Sequence, residues 1–212
     1  MPFAVLRGRK VGVCRSWNEC KARIDGYSGA YYRKFDTYQE CRECIDDYFQ
    51  DNSSSYSDDD DDDYINCWID GACPGNGRNP RSAGRGVFFG DNYPWCNWNI
   101  SERADGPPTN NRAEIQAAWR AIQIAKDHNV TKLRIHTDSD FLIKSVVDYM
   151  PKWKRNGYMT AGGYHVKNKI DFMQLDDELD GTIEVVWVHV PAHSGDYGND
   201  QADQLARDGA RL

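Results

Sequence analysis

The stretch KLRIHTDSDFLIKS, residues 132–145, decides the fold. Leu133, Ile135 and Thr137 alternate with polar or charged neighbours, the period of a strand with one buried face. Immediately after Asp138 the pattern turns helical. An acidic residue therefore stands at the strand-to-helix break, where a plain turn residue would serve. Its meaning depends on whether other carboxylates arrive at similar breaks.

They do. YINCWIDGAC (64–73) reads as a strand ending at Asp70, and AGRGVFFG (83–90) and PWCNWNISERA (94–104) continue as strands separated by turns. PPTNNRAEIQAAWRAIQIAKDHN (107–129) is helical, with Ala113, Ile115, Ala118, Ile122 and Ala125 recurring every three or four residues and Glu114 one turn inside. TIEVVWVHVPAH (182–193) is a last strand, leading through SGDYGN into the helix DQADQLARDGA (200–210) with Asp203 near its start. Strands alternating with helices give an α/β domain. Asp70, Glu114, Asp138 and Asp203 come from two strand ends and two helix beginnings.

One acid in such a place is unremarkable, because Asp caps helices and Glu fills surface positions. Four converging acids repel one another unless a divalent cation neutralises them. An all-oxygen set suits Mg²⁺, with Mn²⁺ as a substitute. Two such ions roughly 3.5–4 Å apart can hydrolyse a phosphodiester, one activating water and the other stabilising the leaving 3′-oxygen. This route leaves a 5′-phosphate and a 3′-hydroxyl and needs no covalent enzyme intermediate.

The net charge of -7 argues against a polyanionic partner only until it is divided along the chain. Residues 1–45 hold nine Lys/Arg and five Asp/Glu, net +4; residues 46–63 hold nine Asp and no base, net -9; the remainder is net -2. The acidity belongs to DDYFQDNSSSYSDDDDDD (46–63), whose composition fits a disordered, self-repelling linker. A cation site, or an intramolecular phosphate mimic competing for the basic N-terminal module, are the other readings of the run 58–63.

That module, residues 1–46, reads as ββαβα: FAVLRG and GVCRSW around a turn, a helix from SWNE, the strand AYYRKF and a helix from DTYQE. Ser16 with Glu19 and Thr37 with Glu40 form capping boxes. Arg7, Arg9, Lys10, Arg15, Arg33 and Lys34 are interleaved with Trp17, Tyr31 and Tyr32, a mixture that suits nucleic acid. Tyr32 and Phe35 are expected in the core, and Trp17 at the contact surface.

FAVLRGRKVGVCRSWNECKARIDGYSGAYYRKF resembles the hybrid-binding domain at the N-terminus of eukaryotic ribonucleases H of the type 1 class. The resemblance assigns Phe3, Trp17, Arg33 and Lys34 to RNA/DNA duplex contact, with Phe3 where the family carries Tyr. Residues 64–212 resemble the ribonuclease H catalytic domain through IDGAC, TNNRAE, TDSDF and VPAHSGDYGNDQADQLAR, in the family's order. It implies a mixed five-stranded sheet flanked by helices. It also implies an endonuclease that cuts the RNA strand of RNA/DNA hybrids, with two Mg²⁺ ions held by Asp70, Glu114, Asp138 and Asp203. His193 matches the family's loop histidine, which helps product leave or moves a proton.

By the same resemblance Asn76, Asn110 and Asn111 contact the RNA strand, whose 2′-hydroxyl is the handle that distinguishes it from DNA. Thr109 and Asn168 fall at the DNA-strand phosphate pocket, and Tyr149 and Trp153 along the DNA channel in a basic protrusion, DYMPKWKRNGYMTAGGYHVKNK (148–169). Pro107 stands where a basic residue contributing to that pocket is expected. Removal of the N-terminal module should impair sustained cutting more than chemistry.

Seven cysteines, an odd number with nothing marking secretion, point to reduced thiols, and CREC (41–44) lacks a second pair at zinc spacing, so it reads as a helix face. No apolar run reaches membrane-span length, and MPFAVLRGRK lacks a secretory signal's apolar segment. A monomer of the nucleus or cytoplasm, without a targeting segment in this chain, is expected. Two rivals are a DNA-cutting or strand-transfer enzyme of the integrase or transposase kind and a non-catalytic hybrid binder; TNNRAE and the N-terminal module weigh against the first, the complete acid quartet against the second.

Overall fold

The computed structural model describes residues 1–8, 11–27, 30–53, 64–78, 80–91, 95–192 and 195–212; the acidic run 58–63, Arg9, Lys10 and His193 lie outside them. Two compact units emerge, Met1–Asp62 with Gly90–Asn97, and Asp63–Phe89 with Trp98–Leu212.

In the first unit, β1 (Phe3–Arg7) pairs antiparallel with β2 (Gly12–Cys14) and with β3 (Tyr31–Lys34), in the order β2-β1-β3. Helix α1 (Trp17–Ile24) follows β2, and α2 (Tyr38–Ser53) follows β3, so the expected ββαβα order holds. Alternation along β1 sends side chains to opposite faces. Ala4 and Leu6 join Cys41 and Ile45 of α2 in one cluster; Val5 joins Cys14 and Cys20 of α1 in another. Cys44 packs against the first cluster, so CREC is a core-facing helix turn. The Thr37–Glu40 capping box forms, with exchanged bonds of 3.0 and 3.2 Å, whereas at Ser16 the Glu19 amide donates to Ser16 Oγ at 3.3 Å but the Glu19 carboxylate accepts from the Arg15 amide at 2.8 Å. Helix α2 runs on to Ser53, into the stretch read as linker.

The second unit holds the expected five-stranded mixed sheet, β6-β5-β4-β7-β8. Strands β4 (Ile65–Ala72), β5 (Gly84–Phe88) and β6 (Ile100–Arg103) are antiparallel neighbours, while β4, β7 (Lys132–Thr137) and β8 (Glu184–His189) run parallel. Helix α3 (Asn110–Asp127) buries Ala113, Ile115, Ala118, Ile122 and Ala125 completely, as its period requires. Cys67, Ile69, Leu133 and Ile135 of the sheet are equally buried. Helices α4 (Asp140–Lys144) and α5 (Met150–Asn156) are joined by a π-helical turn over Ser145–Tyr149. Pro151 has no N–H to give, and the wider turn, in which the Met150 amide reaches Ser145 O, absorbs its ring. Helix α6 (Lys169–Glu178) and α7 (Tyr197–Gly209) complete the unit. Among the described residues no helix is long and apolar enough to cross a membrane.

Glycines set how closely helices approach the sheet, and two of them lie beside the acids. Gly71, next to Asp70 on β4, lies against α3: a Cβ there would stand 2.4 Å from the Glu114 amide nitrogen. Gly86 of β5, paired in register with Asp70, lies beneath α7: its Cβ would stand 2.2 Å from Ala202 O, beside Asp203. A methyl group at either place forces the helix off the sheet. Gly86→Ala is expected to lower unfolding free energy by about 1–3 kcal/mol, the usual cost of overpacking a fitted contact. Urea denaturation checks it; an unchanged midpoint would show that α7 does not rest on β5 as described.

Candidate active site

Asp70 leaves β4 on the face that α7 covers, Glu114 enters from the first turns of α3, Asp138 directly follows β7, and Asp203 sits on α7. All four line one open pocket of about 450 Å³, together with Cys73, Asn110, Arg207 and Arg211. The four acids singled out in the sequence thus come together, although Asp70 lies inside β4, which runs on to Ala72 where the sequence reading ended the strand at Asp70.

The electrostatics register the crowding. Burial, then the charges of Asp138, Asp203 and Glu114, push the Asp70 carboxyl up to about 8, against a partly offsetting hydrogen bond from the Gly71 amide at 2.7 Å. Glu114 is only 8% exposed, and burial, with the Asp138 charge, raises it as well. Ser139 Oγ donates to its Oε2 at 2.6 Å and Asn110 Nδ2 to its Oε1 at 2.8 Å, which favour the charged form. Asn199 Nδ2 donates to Asp138 at 3.3 Å, and Arg207 pairs with Asp203 at 2.6 Å.

Each carboxylate is therefore turned toward a protein donor. Among the described residues, no three acidic, histidine or cysteine side chains are drawn into ligating geometry. The acids share a pocket and a field without yet sharing one point in space. As a donor set, four carboxylates with no nitrogen or sulfur ligand fit a hard divalent cation of the Mg²⁺ class.

Residues 62–211 match the family model described as RNase H, and residues 3–44 the one described as Ribonuclease H1 N-terminal domain. The chain belongs to the ribonuclease H family. Human Ribonuclease H1 is 34% identical, aligning with 100% of this chain and 90% of its own length; the Schizosaccharomyces pombe Ribonuclease H is 33% identical over 98% and 96%. Among solved structures, a foamy viral protease-reverse transcriptase in complex with dsDNA superposes with TM-score 0.55 at 26% identity, covering 69% of this chain and 94% of that one. LC9-RNase H1, a type 1 RNase H with the type 2 active-site motif, gives 0.54 at 22% identity, over 70% and 73%, a likeness of fold.

The remaining residues expected to serve this ribonuclease H family site fall in several places. Asn110 is in the pocket, and Asn111 is half-buried in the same first turn of α3. Asn76 is exposed in the turn after β4, its amide bonded to Cys73 O at 3.0 Å, and is not among the pocket's lining residues. Thr109 caps α3 by accepting from the Arg112 amide at 3.3 Å. Asn168 holds the left-handed position before α6, and its buried Nδ2 finds no hydrogen-bond partner among the described residues. Tyr149 is 44% exposed, its ring 5.7 Å from Trp153, which leans on Phe172 at 5.2 Å. Pro107 brings no cation, but its carbonyl accepts from Arg112 Nη1 at 3.5 Å.

In the N-terminal unit, Phe3, Trp17 and Tyr32 form a row, each ring 5.5 Å from the next. Tyr32, expected in the core, is 39% exposed beside Trp17 at 44%, because the register pairing Val5 with Tyr32 sends that ring to the α1 side. Phe35 does pack against the α2 core cluster. Lys34 is exposed and paired with Phe3, whereas Arg33, paired with Ala4, lies over Phe35 at 5.4 Å on the α2 side.

Ser139 and Asn199 were not singled out in the sequence, yet each holds a site acid. Ser139 follows Asp138 directly and caps α4, and Asn199 lies one turn before Asp203, so adjacency to the acids was the available signal.

A carboxyl whose folded pKa is raised destabilises the fold as it ionises. The ordinary aspartate value is about 3.9, so between there and about 8 the folded protein holds a proton that the unfolded chain has lost, and stability falls as pH rises. Metal-free Asp70→Asn should melt several degrees above wild type at pH 9, with a gap that narrows toward pH 4. A melting difference independent of pH would refute the coupling.

Proposed function

We propose that the chain is an endonuclease that hydrolyses the RNA strand of RNA/DNA hybrids. The observation that supports this best is the convergence of four carboxylates on one pocket in a ribonuclease H family member, with Asp70 driven up by burial and then by the charges of the other three. Asp70, Glu114, Asp138 and Asp203 are the residues to hold two Mg²⁺ ions, or Mn²⁺ in their place. Bound there, the ions supply an activated water and charge compensation at the scissile phosphate, yielding 5′-phosphate and 3′-hydroxyl ends.

The chain's own residues prepare that pocket. Ser139 and Asn110 orient both oxygens of Glu114, and Asn199 steadies Asp138. Asn110 and Asn111, at the first turn of α3, offer amides that both donate and accept, the chemistry needed to read a 2′-hydroxyl. Tyr149 and Trp153 offer rings, and Thr109 and Asn168 polar groups at helix starts, to the DNA strand. His193 serves product release or proton movement. In the N-terminal module, Phe3, Trp17 and Lys34 engage the duplex, with Arg33 adding charge; tethering raises the duplex concentration at the catalytic unit and favours repeated cutting.

Cleavage of a uniform hybrid under Mg²⁺ titration, beside RNA and DNA duplex controls, tests this reading. Asp138→Asn should cut the hybrid roughly 10³-fold more slowly, several kcal/mol of barrier, while its hybrid affinity stays close to wild type. Equal loss of binding would make Asp138 a structural residue, and cleavage of duplex DNA in preference to hybrid would favour a DNA-directed enzyme. Trp17→Ala should weaken hybrid binding at least about 5-fold, the low end of one lost stacking contact, and shorten processive runs without changing single-turnover cutting at saturation. Unchanged affinity would remove Trp17 from the interface.

A further inference from the structure

Of the four pocket acids, Asp203 differs in the partner it has. Asp70 accepts from a backbone amide, Glu114 from a hydroxyl and an amide side chain, and Asp138 from an amide side chain, all neutral donors. Among the described residues, Asp203 alone of the four is held by a full positive charge, Arg207 Nη2 at 2.6 Å from its Oδ2, one helical turn further along α7. Both residues line the pocket of the other three acids. The spacing, acid first and base four residues later, is the favourable orientation on a helix, and the shared helix keeps the guanidinium within reach at all times. Arg207 is 51% exposed against 26% for Asp203, so its side chain can swing outward while the carboxylate stays in place.

We propose that Arg207 is a positioning residue that acts as an internal counter-cation on Asp203, competing with divalent metal for that carboxylate and so setting the metal concentration at which it is recruited. The inference rests on the reading of the pocket as a divalent-cation site. An oxygen that accepts a 2.6 Å charge-assisted bond has less to offer an ion, and a fixed positive charge beside the pocket repels a second one. Both effects act in the same direction. Removing the charge frees Asp203 and lowers the local positive potential, so metal should bind more tightly, by roughly three- to tenfold from one helix pair and one screened repulsion. The same pairing relieves repulsion among the four acids when no metal is bound, so it also helps the empty pocket to persist.

The test is isothermal titration of the full chain with MgCl₂, and separately MnCl₂, in the absence of nucleic acid, for wild type, Arg207→Gln, Arg207→Met and Arg207→Lys. The two uncharged variants should bind metal three- to tenfold more tightly, Arg207→Lys should stay near wild type, and the Mg²⁺ concentration for half-maximal hybrid cleavage should fall in parallel. Unchanged or weaker metal binding by the uncharged variants overturns the proposal, as does an Arg207→Lys variant that behaves like Arg207→Gln, since that traces the effect to side-chain shape. Wild type that binds metal and cuts hybrid, with uncharged variants unshifted, defeats the role of Arg207 alone. Wild type that neither binds metal nor cuts defeats the underlying functional reading as well.

Discussion

The close seating of two helices on adjacent strands, with only hydrogen where a methyl would be, is the constraint on which the site depends. Gly71 lets α3 settle until the Glu114 amide lies against β4, and Gly86, opposite Asp70, lets α7 settle until Ala202 lies against β5. These contacts place Glu114 and Asp203 within the field of Asp70 and Asp138. Packing, which is short-ranged and steric, thereby imposes an electrostatic arrangement that the isolated side chains would avoid.

The fold carries that burden with local devices. Neutral donors, the buried Ser139 and Asn199 and the half-buried Asn110, hold carboxylates that repel each other, and among the described residues the cationic partner falls on Asp203. Burial, and after it the neighbouring carboxylates, leave Asp70 high in its titration. A site organised in this way is costly to the unliganded fold, the usual relation between stability and function at charged centres, and its proposed role is to receive a divalent ion. The N-terminal unit is built differently. Ala4, Val5 and Leu6 of its sheet pack against Cys20 and Ile24 of α1 and Cys41 and Ile45 of α2, and it presents a row of three rings beside Lys34 on one side.

Much of this was legible from residue order. Alternation marked the end of β7 before Asp138 and placed Asp70 near the end of β4, which runs on to Ala72; the period of Ala113 to Ala125 marked α3, and Ser16 and Thr37 marked helix starts. These are local signals, and local energetics decide them. Other features depend on three-dimensional register and leave no mark in residue order. The pairing of Val5 with Tyr32 put Tyr32 beside Trp17 at the surface, and the pairing of Ala4 with Arg33 put that cation on the α2 side. The π turn before Pro151 and the length of α2 follow from packing and helix propagation, neither visible in a motif. The four acids could be named in advance; the ties of each to its own protein donor could not, because Ser139, Asn199 and Arg207 act through side-chain directions that spacing alone does not give.

The central claim is that the carboxylates of Asp70, Glu114, Asp138 and Asp203 form one charge-coupled group able to receive divalent cations. Carboxyl ¹³C NMR of selectively labelled aspartates, followed through a pH titration with and without Mg²⁺, observes that coupling at the atoms concerned. In the metal-free protein Asp70 should titrate near pH 8, and saturating Mg²⁺ should return it to the ordinary carboxylate range or below. An Asp70 carboxyl that titrates near pH 4 in both conditions would contradict the claim.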